Sequence, residues 1–383
     1  MLRYLKLMFL CLMPGLSLGQ SGLIYNTDQA LESYTLFNVN ARTYLVDQCG
    51  KWVHQWLDIR PSYHCKLLPD GHLIYIQNNT IYELDWEGNE VYSIENPVPD
   101  TRLEYEVIKL PGGNFLALGR KSMTEQEFLD LGFDLSNSRP DQVDVVIELD
   151  PETEELVWMW NIADHTIQER DTSLVNYGII RDNPQLLNVN AISTFDWTFE
   201  ESFMVNSLDY NPELDQIALS IRKMGEVVII DHSTTTAEAS GSTGGQYGKG
   251  GDILYRWGNP QNYNRGDQED QQLYFQHNPN WIEHGPHKGK LIVYNNGFSR
   301  TLDGTEPYSS APIIDTPVDA DGSYMLDDSL AFLPLAPDFE LGYPDPDPLF
   351  YSPYTSGAEL LPNGNIFITS GLRSRLSEYT PEG

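Results

Sequence analysis

Tyr82-Glu-Leu-Asp85-Trp-Glu-Gly88-Asn-Glu-Val91-Tyr92 is the stretch on which the fold turns. An apolar strand ends in an acidic turn, glycine stands where the turn needs positive φ, and a second strand opens on Val and Tyr, the pattern of a β-hairpin. Tyr44-Leu-Val-Asp47 with Trp52-Val53-His-Gln-Trp56 repeats it, and Ile147-Glu-Leu-Asp150 with Leu156-Val-Trp-Met-Trp160 repeats it around a longer turn. A second unit alternates with the first: Leu67-Leu-Pro69-Asp-Gly71-His, Leu110-Pro111-Gly-Gly113-Asn and Leu361-Pro362-Asn-Gly364-Asn. Asp47 and Asp85 are 38 residues apart, and Pro69 and Pro111 are 42 apart. Two interleaved units with a period near 40 predict an all-β fold, a β-propeller. The alternative is an irregular β-sandwich whose hairpins coincide.

Long segments interrupt the repeat at 121–141, 233–251, 261–272 and 301–353, and in a propeller they emerge as loops, either a lid over the channel or plain surface. One short helix is expected within 164–185. Leu376-Ser-Glu-Tyr-Thr380-Pro-Glu-Gly383 begins a hairpin unit with no Val/Trp strand after it, so the last blade is expected to be incomplete or to close in another way. At the other end, Arg3 and Lys6 precede the apolar run Leu7–Leu18 and the small-residue site Ser17-Leu18-Gly19. That predicts a secretory signal peptide over residues 1–19, cut before Gln20, and a single propeller domain over 20–383. The run is short for a membrane anchor, and no later stretch reads as a span.

The 383 residues carry 56 acidic and 23 basic side chains, a net charge of −33, which becomes −35 once Arg3 and Lys6 leave with the signal. So negative a field disfavours nucleic acid and anionic membrane as partners. Cys49 and Cys65 remain in the mature chain, either as one disulfide or as two free thiols, and neither has the C-x-x-C partner of a metal site. No H-E-x-x-H, G-x-S-x-G, phosphate loop or dinucleotide fingerprint occurs, so no metal and no cofactor is expected. Asp319-Ala-Asp321-Gly322 lacks the full spacing of a calcium loop. Of the eight histidines, His54, His64 and His72 read as structural or surface residues, His232 as a turn residue, and His284 and His287 as exposed. His277 differs, because Gln276-His277-Asn278-Pro279-Asn280-Trp281 puts an imidazole at a strand entrance beside an aromatic, which suits the channel end of a blade.

Asn206-Ser207-Leu-Asp209-Tyr-Asn-Pro212, Ser220-Ile-Arg222-Lys223, Ile230-Asp231-His232-Ser233-Thr234, Tyr255-Arg-Trp257-Gly258-Asn259-Pro260, Gln276-His277 and Ser356-Gly357-Ala358 together resemble the bacterial aryl-sulfate sulfotransferases, over nearly all of 34–383. The resemblance implies a six-bladed β-propeller, periplasmic or secreted. It implies an enzyme that moves a sulfuryl group from a phenolic sulfate donor to a phenol acceptor through a sulfated histidine, without PAPS. By position, His277 matches the histidine that is sulfated and Arg222 the arginine that holds the sulfuryl oxygens. A neutral imidazole is a competent nucleophile, and a fixed guanidinium presents paired donors to charged oxygens.

The chain departs from the family at Tyr105, which with Glu106 replaces a His-Asp pair, and at Met204, which replaces a histidine before Asn206-Ser207. Asn280 and Lys223 stand where further histidines are common. Tyr105, Asn206, Lys223 and Asn280 are the expected substrate-binding residues. The losses leave a second reading, an inactive secreted propeller that binds an anionic or aromatic ligand. A homodimer is left open.

Overall fold

The computed structural model describes residues 22–39, 41–61, 64–136, 139–191, 202–300, 306–342 and 350–382, and the expected signal peptide lies outside them. Within these residues the chain forms six antiparallel sheets. The first holds β1 (Tyr34–Val39), β2 (Arg42–Asp47) and β3 (Trp52–Leu57). The second holds β4 (Cys65–Leu67), β5 (Leu73–Gln77), β6 (Thr80–Leu84) and β7 (Glu90–Glu95). The third holds β8 (Thr101–Lys109), β9 (Phe115–Ser122), β10 (Gln142–Leu149) and β11 (Leu156–Asn161). A short parallel pair, β12 (Thr166–Ile167) and β13 (Leu187–Asn188), precedes the fourth sheet of β14 (Val205–Asn211), β15 (Gln216–Ile221), β16 (Glu226–Asp231) and β17 (Tyr255–Trp257). The fifth holds β18 (His277–Trp281), β19 (Leu291–Tyr294), β20 (Ala311–Ile314) and β21 (Phe339–Leu341), and the sixth β22 (Ser356–Leu360), β23 (Ile366–Ser370) and β24 (Arg375–Tyr379).

Strands pair in chain order within each sheet, and the first strands β1, β4, β8, β14, β18 and β22 pack on one another in succession. They are the inner strands of a six-bladed β-propeller, as the repeat and the resemblance predicted. The sixth blade has three strands, in line with the expected incomplete last blade, and the first also has three.

Side chains explain the repeat. Asp85 ends its strand because its Oδ1 accepts the Asn89 N–H at 2.7 Å, and Gly88 takes φ +85 to close the turn. The indoles of the Val/Trp strands reach the next blade: Trp56 donates to the Asp85 carbonyl (3.3 Å) and Trp158 to Thr234 Oγ1 (3.0 Å). The residue after each Leu-Pro-x-Gly turn bonds a glutamate of its own blade, pairing His72 with Glu83, Asn114 with Glu148 and Asn365 with Glu378. Two of these glutamates then engage the following blade, and the third engages the residues just before blade one. Glu83 takes Lys109 Nζ at 2.7 Å, Glu148 takes His232 at 3.1 Å, and Glu378 takes the Leu31 N–H at 2.8 Å.

Between blades one and six, five apolar clusters fill the five successive seams, such as Ile74, Ile76, Leu103 and Val145 between blades two and three. Where blade six meets the residues before β1, polar contacts join the two. Glu378, Asn363 and Asn365 hold Leu31 and Gln29 there.

The structure changes some of these expectations and decides others that were left open. Residues 164–185 contain no α-helix; the segment runs between single 3-10 turns at Ile162–His165 and Ile180–Asp182, tied by backbone bonds such as Gly178 N–H to Gln168 O. The α-helices are α1 (Glu125–Asp130) and α2 (Thr236–Ala239), each started by a threonine capping box inside a predicted loop. The 301–353 segment is not a loop throughout: it supplies β20 and β21 of blade five, and the stretch between those strands lies along the flank of blade four, where Tyr324 bonds Gln216 (2.6 Å) and Pro334 O accepts the Trp257 indole (2.7 Å). Cys49 and Cys65 are free, the first exposed and the second beside Thr43 with its thiol pushed up to about 11 by burial.

Candidate active site

His277 is the first residue of β18 and owes its position to blade four. Asn206 Nδ2 donates to the Gln276 carbonyl at 2.8 Å, and Ser207 Oγ accepts the Asn278 N–H at 2.7 Å, so the Asn-Ser pair grips the chain on both sides of His277. Gln276 is fully buried and donates to Ser220 Oγ and to the Ile221 and Glu226 carbonyls, which plugs it into the turn that carries Arg222. Under that turn the Glu226 carboxylate is paired with Arg256, both buried, with Nε to Oε1 at 3.0 Å.

The inner strand is bulged at this point. Asn278 has φ +58, and register shifts between His277 and Asn280. Blade six packs closely on the bulge at Gly357, where a Cβ would lie 2.5 Å from Asn278 Oδ1 and push that side chain aside. Asn280 completes the fit by donating to the Ala358 carbonyl at 3.0 Å. Its contacts are thus structural bridges between blades five and six.

The His277 ring is half-buried, and its Nδ1 lies 2.6 Å from Asn296 Oδ1. Asn296 spends its amide N–H on the Ser352 carbonyl (2.7 Å), which turns Oδ1 toward the imidazole. Nδ1 therefore carries the proton and the lone pair is on Nε2. Burial, then the Arg222 guanidinium and, more weakly, His64 lower the His277 pKa to about 3, against the pull of Asn296. The ring is neutral across the physiological range.

Arg222 is buried at the end of β15 in a 3-10 turn, its N–H bonded to the Met204 carbonyl at 3.0 Å. Its Cζ lies 4.7 Å from the centre of the Phe275 ring, and its Nη1 is 3.4 Å from Met204 Sδ. Met204, at φ +63, thus puts a soft thioether against the guanidinium where the resemblance expects an imidazole. Lys223 follows in the same turn and is buried. Tyr105 is also buried at positive φ, in a bulge of β8, with Arg120 Cζ 4.9 Å from its ring centre. Phe275, Phe298 and Tyr354 continue an aromatic wall from Arg222, at ring separations of 5.5 and 6.0 Å.

A set of ionisable residues on the inner strands went unrecognised in the sequence. Lys66 Nζ on β4 contacts Glu106 Oε1 on β8 at 2.9 Å, and Glu106 Oε2 accepts the Leu208 N–H of β14 at 3.0 Å. Burial alone would raise the Glu106 pKa, but Lys66, His64 and that N–H together hold it low. Asp209, on β14, is raised by burial to about 6 and accepts the Trp281 N–H at 2.7 Å, while burial also raises Glu359 on β22. Lys66, Asp209 and Glu359 each stand three residues before Pro69, Pro212 and Pro362, a spacing that marks them in the sequence.

His64, read as structural, stands open to solvent just before β4. Its pKa is lowered by crowding from the surrounding protein, with Glu106 pulling the other way and Lys66 adding to the decrease.

Among the described residues, one group has metal-ligand geometry: Asp70, His72 and Glu83, with ligand atoms within 4.8 Å of one another. It lies at the Leu-Pro-Asp-Gly turn, the far end of an inner strand from the His277 position, and Lys109 already occupies both Glu83 oxygens. No helix among the described residues is long and apolar enough to cross a membrane.

Comparison with solved structures finds chains of low identity. Kuenenia stuttgartiensis hydrazine synthase is 14% identical with a TM-score of 0.41, covering 88% of this chain and 70% of that one. A luciferin-regenerating enzyme is 11% identical with a TM-score of 0.40, covering 88% and 78%. Neither bears on the chemistry. Comparison with curated proteins gives no match. The sequence model of the arylsulfotransferase (ASST) family matches residues 20–313, a span that contains Tyr105, Asn206, Arg222, Lys223, His277 and Asn280. By that match over more than three quarters of its length, the chain belongs to the arylsulfotransferase family.

Proposed function

We propose that this protein transfers a sulfuryl group from a phenolic sulfate ester to a phenol through a sulfohistidine at His277, in the periplasm or outside the cell. The observation that carries the reading is the imidazole itself: neutral, its proton held on Nδ1 by Asn296 at 2.6 Å, and under the field of a buried arginine. In the first half-reaction the Nε2 lone pair attacks sulfur, the S–O(aryl) bond breaks, and its electron pair leaves on the phenolate. Asn296 keeps the Nδ1 proton in place as the ring becomes a sulfoimidazolium. In the second, the acceptor oxygen attacks sulfur, the S–N bond breaks, and that pair returns to Nε2.

In a chain of net charge −33, Arg222 supplies a local positive group to receive the anionic ester. Its stack on Phe275 fixes the guanidinium plane, which favours oxygens in one orientation. The aromatic wall of Phe275, Phe298 and Tyr354 offers faces for the aryl rings of donor and acceptor. Tyr105 and Lys223 are the proposed further contacts to substrate. Asn206 and Asn280 act by holding the strand that bears His277.

The test is brief exposure of the purified protein to 4-nitrophenyl sulfate without acceptor, followed by intact mass measurement and peptide mapping. A sulfuryl adduct on the His277 peptide, absent in His277→Ala, is the expected result. A folded protein that neither gains the adduct nor releases nitrophenolate overturns the reading.

A further inference from the structure

The second half-reaction must dispose of the acceptor's phenolic proton, and the two positions where the resemblance expects assisting histidines hold Tyr105 and Met204. Met204 has no proton chemistry, and the Tyr105 ring is buried against Arg120.

Blade two supplies an imidazole instead. Residues two apart in an extended strand point the same way, so His64 shares the face of Lys66. Lys66 crosses from blade two to Glu106 on blade three at 2.9 Å, Glu106 reaches the Leu208 N–H on blade four at 3.0 Å, and the adjacent Ser207 holds Asn278 on blade five at 2.7 Å. That relay runs around the inner strands to the residue next to His277. His64 lies one pleat nearer the strand entrance than Lys66, at the end of the channel where β18 begins with His277. It is exposed, whereas Glu106 and Arg222 are buried, and it makes no side-chain hydrogen bond to the described residues. The charged and titratable groups acting on it are Glu106 and Lys66, and it in turn acts on His277.

We propose, resting on the sulfohistidine reading, that His64 is the general base of the second half-reaction, taking the acceptor's O–H proton as its oxygen attacks the sulfur on His277. The atoms balance: the S–O bond forms, the S–N pair returns to His277 Nε2, the phenolic proton passes to a His64 ring nitrogen, and water receives it afterwards. A neutral imidazole is needed for this role, and the His64 pKa lies below the ordinary histidine value, which favours that form.

His64→Gln separates the steps. Sulfation of His277 by 4-nitrophenyl sulfate needs no base and its burst should stay within about threefold of the parent, which also reports that the variant is folded. Discharge of sulfo-His277 to phenol, protonated at pH 7, should slow by about 10²-fold, the low end of what a positioned base provides. Discharge to pentafluorophenol, already ionised at pH 7, should change by less than about threefold, because no proton remains to be moved. Equal slowing with both acceptors, or none with either, overturns the assignment while leaving the sulfohistidine intact. Absence of sulfo-His277 in the parent protein overturns both.

Discussion

Ser207→Ala tests whether blade four sets the position of the nucleophile. Ser207 is buried, and its Oγ is the recorded partner of the Asn278 N–H at 2.7 Å. Removing it leaves the half-buried Asn278 N–H without that partner, at a cost of about 1–3 kcal/mol. Asn278 also holds φ +58, a conformation that costs a non-glycine residue on the order of 1–3 kcal/mol. The bond is of the same order as that strain, enough to hold the bulge against relaxing. One peptide away, His277 should move with it, and a shift of about 1 Å in a reacting group lowers rate by roughly 10²-fold. The assay pairs a urea melt with the single-turnover nitrophenolate burst. We expect stability to fall by about 1–3 kcal/mol and the burst rate by about 10²-fold, with an unchanged pH profile because Asn296 still holds Nδ1. A melt that shifts while the burst rate stays at the parent value refutes the argument, and Gln276 alone would then be the anchor.

Three other outcomes follow from the same contacts. Sulfation of His277 should be level from pH 8 down to about 4, since its conjugate acid, at about 3, removes the nucleophile only below that range; a drop near pH 6.5 in rapid-quench rates would contradict it. Arg256→Met leaves the Glu226 carboxylate buried without its partner and should cost about 3–5 kcal/mol in denaturant melts, most of it regained when Glu226→Gln is added. His232, between Glu148 (3.1 Å) and Asp215 (2.8 Å), has its pKa raised, because these carboxylates outweigh its burial. The stability it adds is complete below pH 6.5 and is lost as pH rises through the raised folded value, so the gap between the parent and His232→Gln in thermal melts should be widest at acid pH and close on the alkaline side.

The blades were legible because each repeats a local chemistry that fits in a dozen residues: an Asx turn, a glycine, and a tryptophan aimed at the next blade. Glu83 and Glu148 carry that chemistry between blades, Glu378 carries it to the residues before β1, and all lie in the quoted repeats. The 3-10 turns in 164–185 were not legible, since that segment is tied by backbone bonds that leave no periodic side-chain pattern. His277 and Arg222 were readable by resemblance. Lys66 and Asp209 were marked only by standing three residues before a proline of the repeat, and neither that spacing nor anything around Glu106 shows that they meet, because a channel assembles its residues from different blades, one strand at a time. His64 was passed over for the same reason, as an isolated histidine beside a cysteine. The Ser207 hydroxyl reads as an ordinary polar position until the bulge at Asn278 shows what it holds.

The polar contacts that join blade six to the residues before β1 have a consequence for the order of events during synthesis. Leu31 meets Glu378 across 347 positions of chain, so a ribosome has made every blade before the partner of Leu31 exists. The five apolar seams can form as their blades emerge, but the ring stays an open arc until the sixth is complete. At about 5–20 residues per second, that is roughly 17–70 seconds during which residues 29–31 have no partner on blade six. Asparagine and glutamate side chains suit such a wait, because unpaired in water they remain hydrated, whereas an exposed apolar edge would invite another nascent chain.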